Sequence, residues 1–376
     1  MKRVCILYLT AGIGHKKVAY SIYHKINSDP SLSVEIKDAL QFGPGFIKTL
    51  YSATYLFMIK RATFLWSFLY YFLDLKIVHM LLYPLRIFLN WLTAHGLIDY
   101  LKTTKPDMVI STHFLPADVI QFAGLKKKNK LLLANVMTDY KAHAFWVNAE
   151  CDLYFVADEF AKKDLVDKWG IDGKKIYTSG IPVENKFYHK LDKALVRDKF
   201  GIDRDGTVAL FVGGGYGIGP IVDILRDVES SALNVTFIVV CGKNRQLIEK
   251  VRKFKNESKL KIIEFEFVDN IDELMAAADF YIGKSGGITV TEAINKNLPL
   301  LVINPIPGQE TRNAEWLVSK KIGCMYKKRK ISQDFSAVLS EFVSDIGAFK
   351  DRLQKIECKD ASAYIGETIK NMGERI

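Results

Sequence analysis

The stretch VCILYLTAGIGH, residues 4–15, decides how the first half of this chain folds. An apolar run, Val4–Thr10, is followed at once by a glycine turn and then by a helical pattern. The apolar residues do not alternate with polar ones, which is typical of a strand buried on both faces of a parallel sheet. The same order recurs in VALFVGGGYGIGP, residues 208–220. The sequence therefore predicts two doubly wound α/β lobes, each built on a parallel sheet.

Further apolar runs with helical patterns between them extend this prediction along the chain. Besides Val4–Thr10, the predicted strands are Val34–Ala39, Met108–Thr112, Leu131–Met137, Leu153–Ala157, Val208–Gly213, Val235–Cys241, Lys261–Val268, Phe280–Gly283 and Leu300–Asn304. The pattern restarts after Ser179-Gly180-Ile181-Pro182. We therefore predict Rossmann-like lobes over 1–180 and 181–360, with a cleft between them and a final helix over 361–376. Whether that helix returns to the first lobe is left open by the sequence.

The charge of the chain is unevenly distributed. The net charge is +11, and residues 1–190 carry 25 of the 53 Lys and Arg but only 16 of the 42 Asp and Glu. A one-sided basic surplus indicates an anionic partner, such as nucleic acid, phosphates or an acidic membrane. Aromatic residues lie in apolar runs, away from basic stretches where bases would stack, so we do not expect a nucleic-acid partner.

The cysteines and the start of the chain suggest a reducing compartment. The five cysteines are far apart and form no CxxC pair, which indicates neither a disulfide framework nor a structural zinc site. Met1-Lys2-Arg3 leads directly into the first strand, without the apolar region and cleavage site of a signal peptide. We therefore expect the protein to be located in the cytosol or on the cytosolic side of a membrane.

Residues 46–98 interrupt the alternation of strands and helices. They hold 13 of the 45 aromatic residues, with five basic residues (Lys48, Lys60, Arg61, Lys76 and Arg86) against the single acid Asp74. The longest charge-free run, Ala62–Leu73, is shorter than the roughly 20 residues that span a bilayer. We expect a peripheral, monotopic segment on the cytoplasmic face of an anionic membrane. Its candidate contacts are Lys60, Arg61, Trp66, Phe68 and Leu69; buried packing helices are the alternative.

The first glycine turn ends in a histidine. His15 lies at the carboxyl end of the first predicted strand, where ligands of open parallel sheets gather. An imidazole titrates near neutral pH and can act as a general base toward a hydroxyl. The dinucleotide fingerprint is incomplete, since Lys17 occupies the place of its third glycine. A helix-start histidine bonded to backbone is the alternative.

Three loops in the second half carry the chemistry of a nucleotide donor site. GGGYGIGP, residues 213–220, places five glycines where bare backbone amides can cradle a diphosphate, and we expect those glycines to have no packing purpose. In GKSGGITVTE, residues 283–292, Glu292 lies inside the following helix, where it can accept the hydroxyls of a ribose. NPIPGQETRN, residues 304–313, is rich in groups that bond sugar hydroxyls. The alternatives are a flexible turn, a solvated carboxylate and a polar helix start.

These motifs together resemble the family of monogalactosyl- and glucosyl-diacylglycerol synthases, which is related to the peptidoglycan N-acetylglucosaminyltransferase. The resemblance runs from the G-x-G-H turn through MTDYKAHAFW, residues 137–146, and SGIPV, residues 179–183, to the SGG-x-T-x-x-E and P-G-Q-E loops. It implies a GT-B fold and an inverting transfer of glucose or galactose from a UDP-sugar to diacylglycerol at a membrane surface, forming a glycolipid.

The resemblance also implies roles for single residues. His15 would activate the acceptor hydroxyl, and Gly14, Asp139, His143 and Trp146 would contact the acceptor. The donor side would use the following residues: Gly214, Gly215, Gly217, Val268, Lys284, Ser285, Gly286, Gly287, Thr289, Glu292, Gln309, Glu310 and Asn313. Lys284 stands where relatives often have Arg, which preserves a phosphate contact but not a bidentate one.

No metal or other cofactor is expected, and Asp203-Arg204-Asp205 is interpreted as a polar turn. Other functions stay open: transfer of N-acetylglucosamine or another sugar to a polyprenyl-linked or other lipid, or a non-catalytic nucleotide-sugar sensor.

Overall fold

The computed structural model describes residues 1–10, 12–126, 131–214, 217, 219–231, 233–326 and 335–373, without the side chains of Ser52, Tyr55, Leu56 and Lys60. The described chain divides into two compact units. The first comprises Met1–Glu184, Pro307–Gln309 and Lys359–Ile376, and the second Asn185–Ile306 and Glu310–Cys358. The boundary thus lies at 184/185 instead of 180/181, and the C-terminal helix belongs to the first unit.

The first unit is built on a six-stranded parallel sheet in the order β2-β1-β3-β4-β5-β6. Its strands are β1 (Lys2–Tyr8), β2 (Leu32–Asp38), β3 (Met108–Ser111), β4 (Leu132–Val136), β5 (Leu153–Val156) and β6 (Ile176–Thr178). Chain order reverses between β1 and β3, which makes the carboxyl ends of these two strands the expected ligand position of a doubly wound sheet. The short β6 was not among the predicted strands.

The second unit repeats this plan with the strand order β12-β11-β10-β7-β8-β9. Its strands are β7 (Thr207–Val212), β8 (Val235–Val240), β9 (Ile262–Phe265), β10 (Phe280–Gly283), β11 (Leu300–Val302) and β12 (Gly323–Met325). The reversal here lies between β7 and β10, so the loops that follow these strands share the ligand position. The prediction of two Rossmann-like lobes is confirmed, although β9 ends three residues earlier than expected and β12 was missed.

Helices cover both sheets. In the first unit they are α1 (Ile13–Ile26), α2 (Gly45–Arg61), α3 (Thr63–Leu73), α4 (Lys76–Ala94), α5 (Gly96–Thr104), α6 (Phe114–Phe122), α7 (Glu159–Asp167) and α16 (Ala361–Gly373). In the second unit they are α8 (Lys193–Lys199), α9 (Ile221–Glu229), α10 (Arg245–Glu257), α11 (Ile271–Ala277), α12 (Gly287–Asn295), α13 (Gln309–Ser319, from Glu310 on), α14 (Phe335–Ser344) and α15 (Ile346–Leu353). The C-terminal α16 packs against α1.

Helix α4 is amphipathic, but its apolar face is exposed and its polar face packs against the protein. Its apolar side chains at i, i+4, i+8, i+11 and i+15 are exposed: Ile77 (73%), Leu81 (74%), Leu85 (51%), Phe88 (40%) and Leu92 (43%). Its polar face, with Tyr83, Arg86 and Asn90, turns to the protein instead. A water-soluble core helix shows the reverse arrangement.

A buried ion pair attaches α4 to α6. The guanidinium of Arg86 lies 3.0 Å from the carboxylate of Asp118, which is completely buried. Asn90 and Asn148 also donate to this carboxylate, at 2.7 and 3.1 Å. Burial raises the pKa of Asp118 despite the neighbouring guanidinium. The anchor therefore depends on every one of these partners remaining in place.

We expect Asp118→Ala to lower the free energy of unfolding by about 3–5 kcal/mol, because it leaves a buried guanidinium without its counter-charge. Urea unfolding measures the change. The control is Asp99→Ala, whose side chain is 83% exposed beside Lys102, with an expected change of less than about 0.5 kcal/mol. A loss below about 1 kcal/mol in Asp118→Ala would show that the pair does not anchor the helix.

Candidate active site

His15 lies at the start of α1, at the reversal point of the first sheet. Its Nδ1 is 2.7 Å from the carbonyl oxygen of Thr112, which follows β3. The hydroxyl of Thr112 in turn donates to the carbonyl of His15 at 2.9 Å. Because a carbonyl only accepts, Nδ1 must carry the proton, and the lone pair is on Nε2. Burial lowers the pKa of His15 to about 4, so the ring is a neutral base near pH 7.

A second histidine, His113, lies beside His15. The two ring centroids are 4.7 Å apart and the planes are nearly perpendicular, at 81°. His113 is the N-cap residue of α6, and its Nδ1 accepts a hydrogen bond from the backbone N–H of Leu115 at 3.2 Å. The prediction did not include this residue. Like His15, it follows the carboxyl end of a strand at the reversal point, and this position would have indicated it.

Both histidines line a large apolar cavity of about 650 Å³ within the first unit. Most of its wall comes from α2, α3 and α4: Ile47, Leu50, Tyr51, Thr54, Met58, Trp66, Tyr70, Leu73, His79, Leu82, Tyr83, Leu85, Arg86, Leu89, Asn90 and Thr93. An apolar cavity with a few placed polar groups is the usual form of a small-molecule site. Here the polar groups include a neutral base.

The predicted acceptor residues are distributed around this cavity. Asp139, His143 and Trp146 line it, whereas Gly14 lies in the first turn of α1 and is not part of the wall. Both ring nitrogens of His143 are engaged: Nδ1 accepts from the N–H of Phe145, and Nε2 donates to the carbonyl of Tyr70 at 2.9 Å. His143 therefore joins its loop to α3, a positioning role that the sequence did not indicate.

Two further predicted residues line this cavity; the role of Trp66 needs correction, whereas that of Gln309 stays a prediction. Trp66, predicted to contact a membrane, is partly buried, lines the cavity and donates its indole N–H to the carbonyl of Pro307 at 3.0 Å. Gln309, predicted to hold the donor sugar, belongs to the segment Pro307–Gln309 of the first unit and also lines the cavity. The contacts of neither residue could be derived from local sequence.

The donor loops meet at the reversal point of the second sheet. A small cavity is lined jointly by Gly213 and Gly219 of the first loop, Lys284 of the second and Asn304 of the third. Gly214 has a φ of +72°, and among the described residues, its chain neighbours apart, no atom lies within 4 Å of the position of an added Cβ. Gly215 lies outside the described residues.

Gly217 contradicts the expectation that these glycines have no packing purpose. With a φ of +57°, it lies so close to the next strand that a Cβ would be 2.1 Å from the carbonyl oxygen of Cys241. Its own carbonyl accepts from the side chain of Asn244 at 2.9 Å. Only glycine fits this contact, which holds the loop against β8.

The second and third donor loops are more buried than the sequence indicated. Glu292 is only 5% exposed, which rules out the alternative of a solvated carboxylate. Ser285 is completely buried and donates its hydroxyl to the carbonyl of Glu310 at 2.7 Å. The carboxylate of Glu310 accepts the N–H of Ile306 at 2.6 Å, so one of its oxygens already closes the turn.

The remaining predicted donor residues lie on the same two helices or beyond β9. Gly286 precedes α12, Gly287 begins it, and Thr289 is partly buried in its first turn, while Asn313 is completely buried in α13. Val268 lies in the loop after β9, and its backbone makes no hydrogen bond with any described residue. Among the described residues, no three His, Cys, Asp or Glu cluster as metal ligands.

Comparison with known families accounts for both units. Residues 15–183 match the monogalactosyldiacylglycerol synthase family, and residues 208–364 match the C-terminal domain of glycosyltransferase family 28. The processive diacylglycerol β-glucosyltransferase of Bacillus mycoides is 30% identical over 378 residues, covering 98% of this chain and 94% of the relative. The Staphylococcus aureus enzyme of that name is 28% identical, covering 86% and 80%. This chain belongs to the diacylglycerol glycosyltransferase family.

Solved structures support the GT-B fold of this glycosyltransferase. MurG of Acinetobacter baumannii superposes with a TM-score of 0.64 at 13% identity, covering 99% of this chain and all of the other. UGT2 of Phytolacca americana, solved with UDP-2-fluoro-glucose, gives 0.65 at 10% identity, covering 99% of each. At these identities the likeness concerns the fold alone.

We expect Gly217→Ala in this glycosyltransferase to weaken UDP binding by at least about ten-fold, because the clash with Cys241 displaces the loop. Gly201→Ala, at a φ of +65° and with no described atom within 4 Å of the added Cβ, meets only left-handed strain of about 1–2 kcal/mol and is the matched control. Titration calorimetry with UDP compares the two. Equal affinities in the two variants would show that the contact of Gly217 with β8 does not shape the donor site.

Proposed function

We propose that this chain transfers glucose or galactose from a UDP-sugar to the hydroxyl of diacylglycerol, with inversion, at the surface of an anionic membrane. The observation that carries the proposal is the neutral His15 on the wall of a large apolar cavity, in the unit that matches the monogalactosyldiacylglycerol synthase family. An apolar acceptor with one reactive hydroxyl suits such a cavity. The names of the relatives support the same acceptor.

In the proposed mechanism His15 acts as the general base. Thr112 holds Nδ1–H, so the lone pair of Nε2 is available for the proton of the acceptor hydroxyl. The oxygen attacks the anomeric carbon as the bond to UDP breaks, and the configuration inverts. The imidazolium formed in this step keeps its hydrogen bond to the Thr112 carbonyl.

The donor would be held by the second unit without a resident metal. Gly214 and Gly217 would offer backbone amides to the diphosphate, and Lys284 would add a positive charge. Glu292 would accept the ribose hydroxyls, and the unengaged backbone of Val268 would pair with uracil. Growing negative charge on the departing UDP would then be stabilised by backbone amides, the start of α12 and an ammonium group.

The membrane part of the proposal rests on exposed apolar side chains. Of the 26 large hydrophobic side chains that the described structure leaves exposed, 17 lie in residues 46–92. Buried packing helices, the alternative considered above, would hide them. A contiguous apolar surface of this kind is typical of a protein or membrane contact, and the aromatic and leucine content suits lipid headgroups.

Helix α4 is the one described helix that is long and apolar enough to cross a bilayer, by length and composition alone. The sequence had indicated no such segment. Its buried attachment to Asp118 through Arg86 argues for a helix lying on the membrane, since crossing would require this ion pair to be broken. We therefore retain the peripheral, monotopic arrangement on the cytoplasmic face as the proposal.

The central test is transfer by purified protein to diacylglycerol in phosphatidylglycerol liposomes, with UDP-glucose and UDP-galactose supplied separately. We expect one β-linked glycolipid, whose formation is unaffected by EDTA. In His15→Ala we expect a turnover at least about 10²-fold lower, with UDP affinity unchanged. Since the base must be deprotonated, kcat/KM should fall with decreasing pH around a pKa of about 4, not near 6.5. UDP binding without turnover would instead favour a nucleotide-sugar sensor.

Membrane binding is tested by flotation with liposomes of one variant that combines Phe64→Ser, Ile77→Ser and Leu81→Ser. The three side chains are 86%, 73% and 74% exposed, and none of them lines the cavity. We expect weaker binding at every salt concentration and unchanged UDP affinity. The control is Leu195→Ser in the second unit, which is 65% exposed and should bind like the wild type. Equal flotation of both variants would refute this surface.

The salt-dependent part of membrane binding should be small. Lys48 and Arg86 are held by Asp38 and Asp118, so among the described basic side chains of residues 46–98 only Arg61 and Lys76 have no ion pair with a described residue. At about 1 kcal/mol per basic residue near an anionic surface, these two contribute about 2 kcal/mol. Apolar insertion would therefore dominate.

A further inference from the structure

His15 and His113 hold their protons in opposite ways. Each ring has its Nδ1 occupied by backbone: the Nδ1–H of His15 donates to the carbonyl of Thr112, and the Nδ1 of His113 accepts the N–H of Leu115. Neutral histidine carries one ring proton, so the proton of His113 is on Nε2. The Nε2 of His15 is therefore an acceptor and the Nε2 of His113 a donor.

The two Nε2 atoms have no hydrogen-bond partner among the described residues. Both side chains line the cavity, and their rings are in edge-to-face contact. Burial lowers the pKa of both histidines, and the neighbouring His15 lowers the pKa of His113 further, so both stay neutral near pH 7. Two neighbouring rings on the wall of an apolar cavity thus carry one donor and one acceptor.

A hydroxyl group is the ligand that satisfies such a pair, because its oxygen accepts one hydrogen bond while its proton makes another. We propose that His113 donates its Nε2–H to the oxygen of the acceptor hydroxyl while His15 accepts the hydroxyl proton. This inference rests on the proposed function, in which that hydroxyl is the nucleophile. His113 would thereby be a second catalytic residue that touches the reacting oxygen.

The step balances with His113 unchanged. The hydroxyl oxygen forms a bond to the anomeric carbon, the bond from that carbon to UDP breaks, and the hydroxyl proton moves to the Nε2 of His15. His113 keeps its own proton and fixes the direction of the attacking lone pair. Orientation of this kind places the reacting atoms for attack, where small displacements reduce the rate strongly.

The competing explanation is that His113 only caps α6. Two substitutions separate the roles. In His113→Asn the side-chain oxygen can still accept the N–H of Leu115, since Asn is a strong N-cap residue, but no donor remains at the position of Nε2. In His113→Gln the amide N–H can reach that position, while the cap is lost.

We expect His113→Asn to lower kcat/KM for diacylglycerol by about 10²-fold, the lower end of the loss seen when one donor to a reacting oxygen is removed. His113→Gln should recover to within about five-fold of the wild type, and UDP affinity should be unchanged in both. A helix cap predicts the opposite order, with His113→Asn nearly normal and His113→Gln impaired. Near-normal turnover of His113→Asn would overturn the proposal.

A diacyl propanediol, which is diacylglycerol without its hydroxyl, gives an independent test by competitive inhibition. Its inhibition constant should be the same in the wild type and His113→Asn, whereas apparent affinity for diacylglycerol should fall about two- to ten-fold in the variant. Equal losses for both ligands would mean that His113 shapes the cavity without holding the hydroxyl, which refutes the inference.

The proposal that diacylglycerol is the acceptor can be wrong while the role of His113 is correct. If the wild type glycosylates a long-chain alcohol such as dodecanol and not diacylglycerol, the proposed acceptor is wrong. The comparison of His113→Asn with His113→Gln on that alcohol then decides the role of His113 by the same criterion.

Discussion

The hydrogen bond between the Nδ1–H of His15 and the carbonyl of Thr112 is the constraint on which the active-site geometry depends. It joins the helix after β1 to the loop after β3, and the hydroxyl of Thr112 returns a bond to the carbonyl of His15. It fixes the tautomer of His15 and therefore the atom that can take a proton. Burial lowers the pKa of His15 by more than the bond to this carbonyl raises it, so the ring stays neutral.

Helices α3 and α4 expose apolar side chains while they remain attached to the first unit. Buried charges provide the attachment. Arg86 binds Asp118, and Asp74, only 3% exposed, binds Lys168 and the N–H of Ala144 at 2.5 and 2.8 Å. Burying a charge is costly. Removing one partner therefore destabilises the fold by much more than the intact pair stabilises it. These contacts leave the opposite face of α4 available to an apolar surface, and they use part of the positive charge that the sequence had offered to lipids.

The sequence predicted the elements that depend on local pattern. Long apolar strands, glycine turns and their order were correct because a strand buried on both faces needs apolar residues throughout and a turn against a ligand needs glycine. The three-residue strands β6 and β12 were missed because only the first residue of each is buried, so neither forms an apolar run like that of the equally short β11. His113 was missed for another reason: its sequence position is as informative as that of His15, but the two strands become neighbours only in the folded sheet.

By itself, the sequence determined that the chain forms two parallel α/β lobes, that glycine-rich loops end their first strands, and that residues 46–98 are apolar and basic, since periodicity and composition are local properties. The tertiary structure alone decided which face of α4 is exposed, that Gly217 must contact β8, and that Trp66 and Gln309 line a cavity. It also decided the protonated nitrogen of each histidine. These properties depend on partners far along the chain, such as Thr112 for His15 and Asp118 for Arg86, and no local pattern specifies which of them meet.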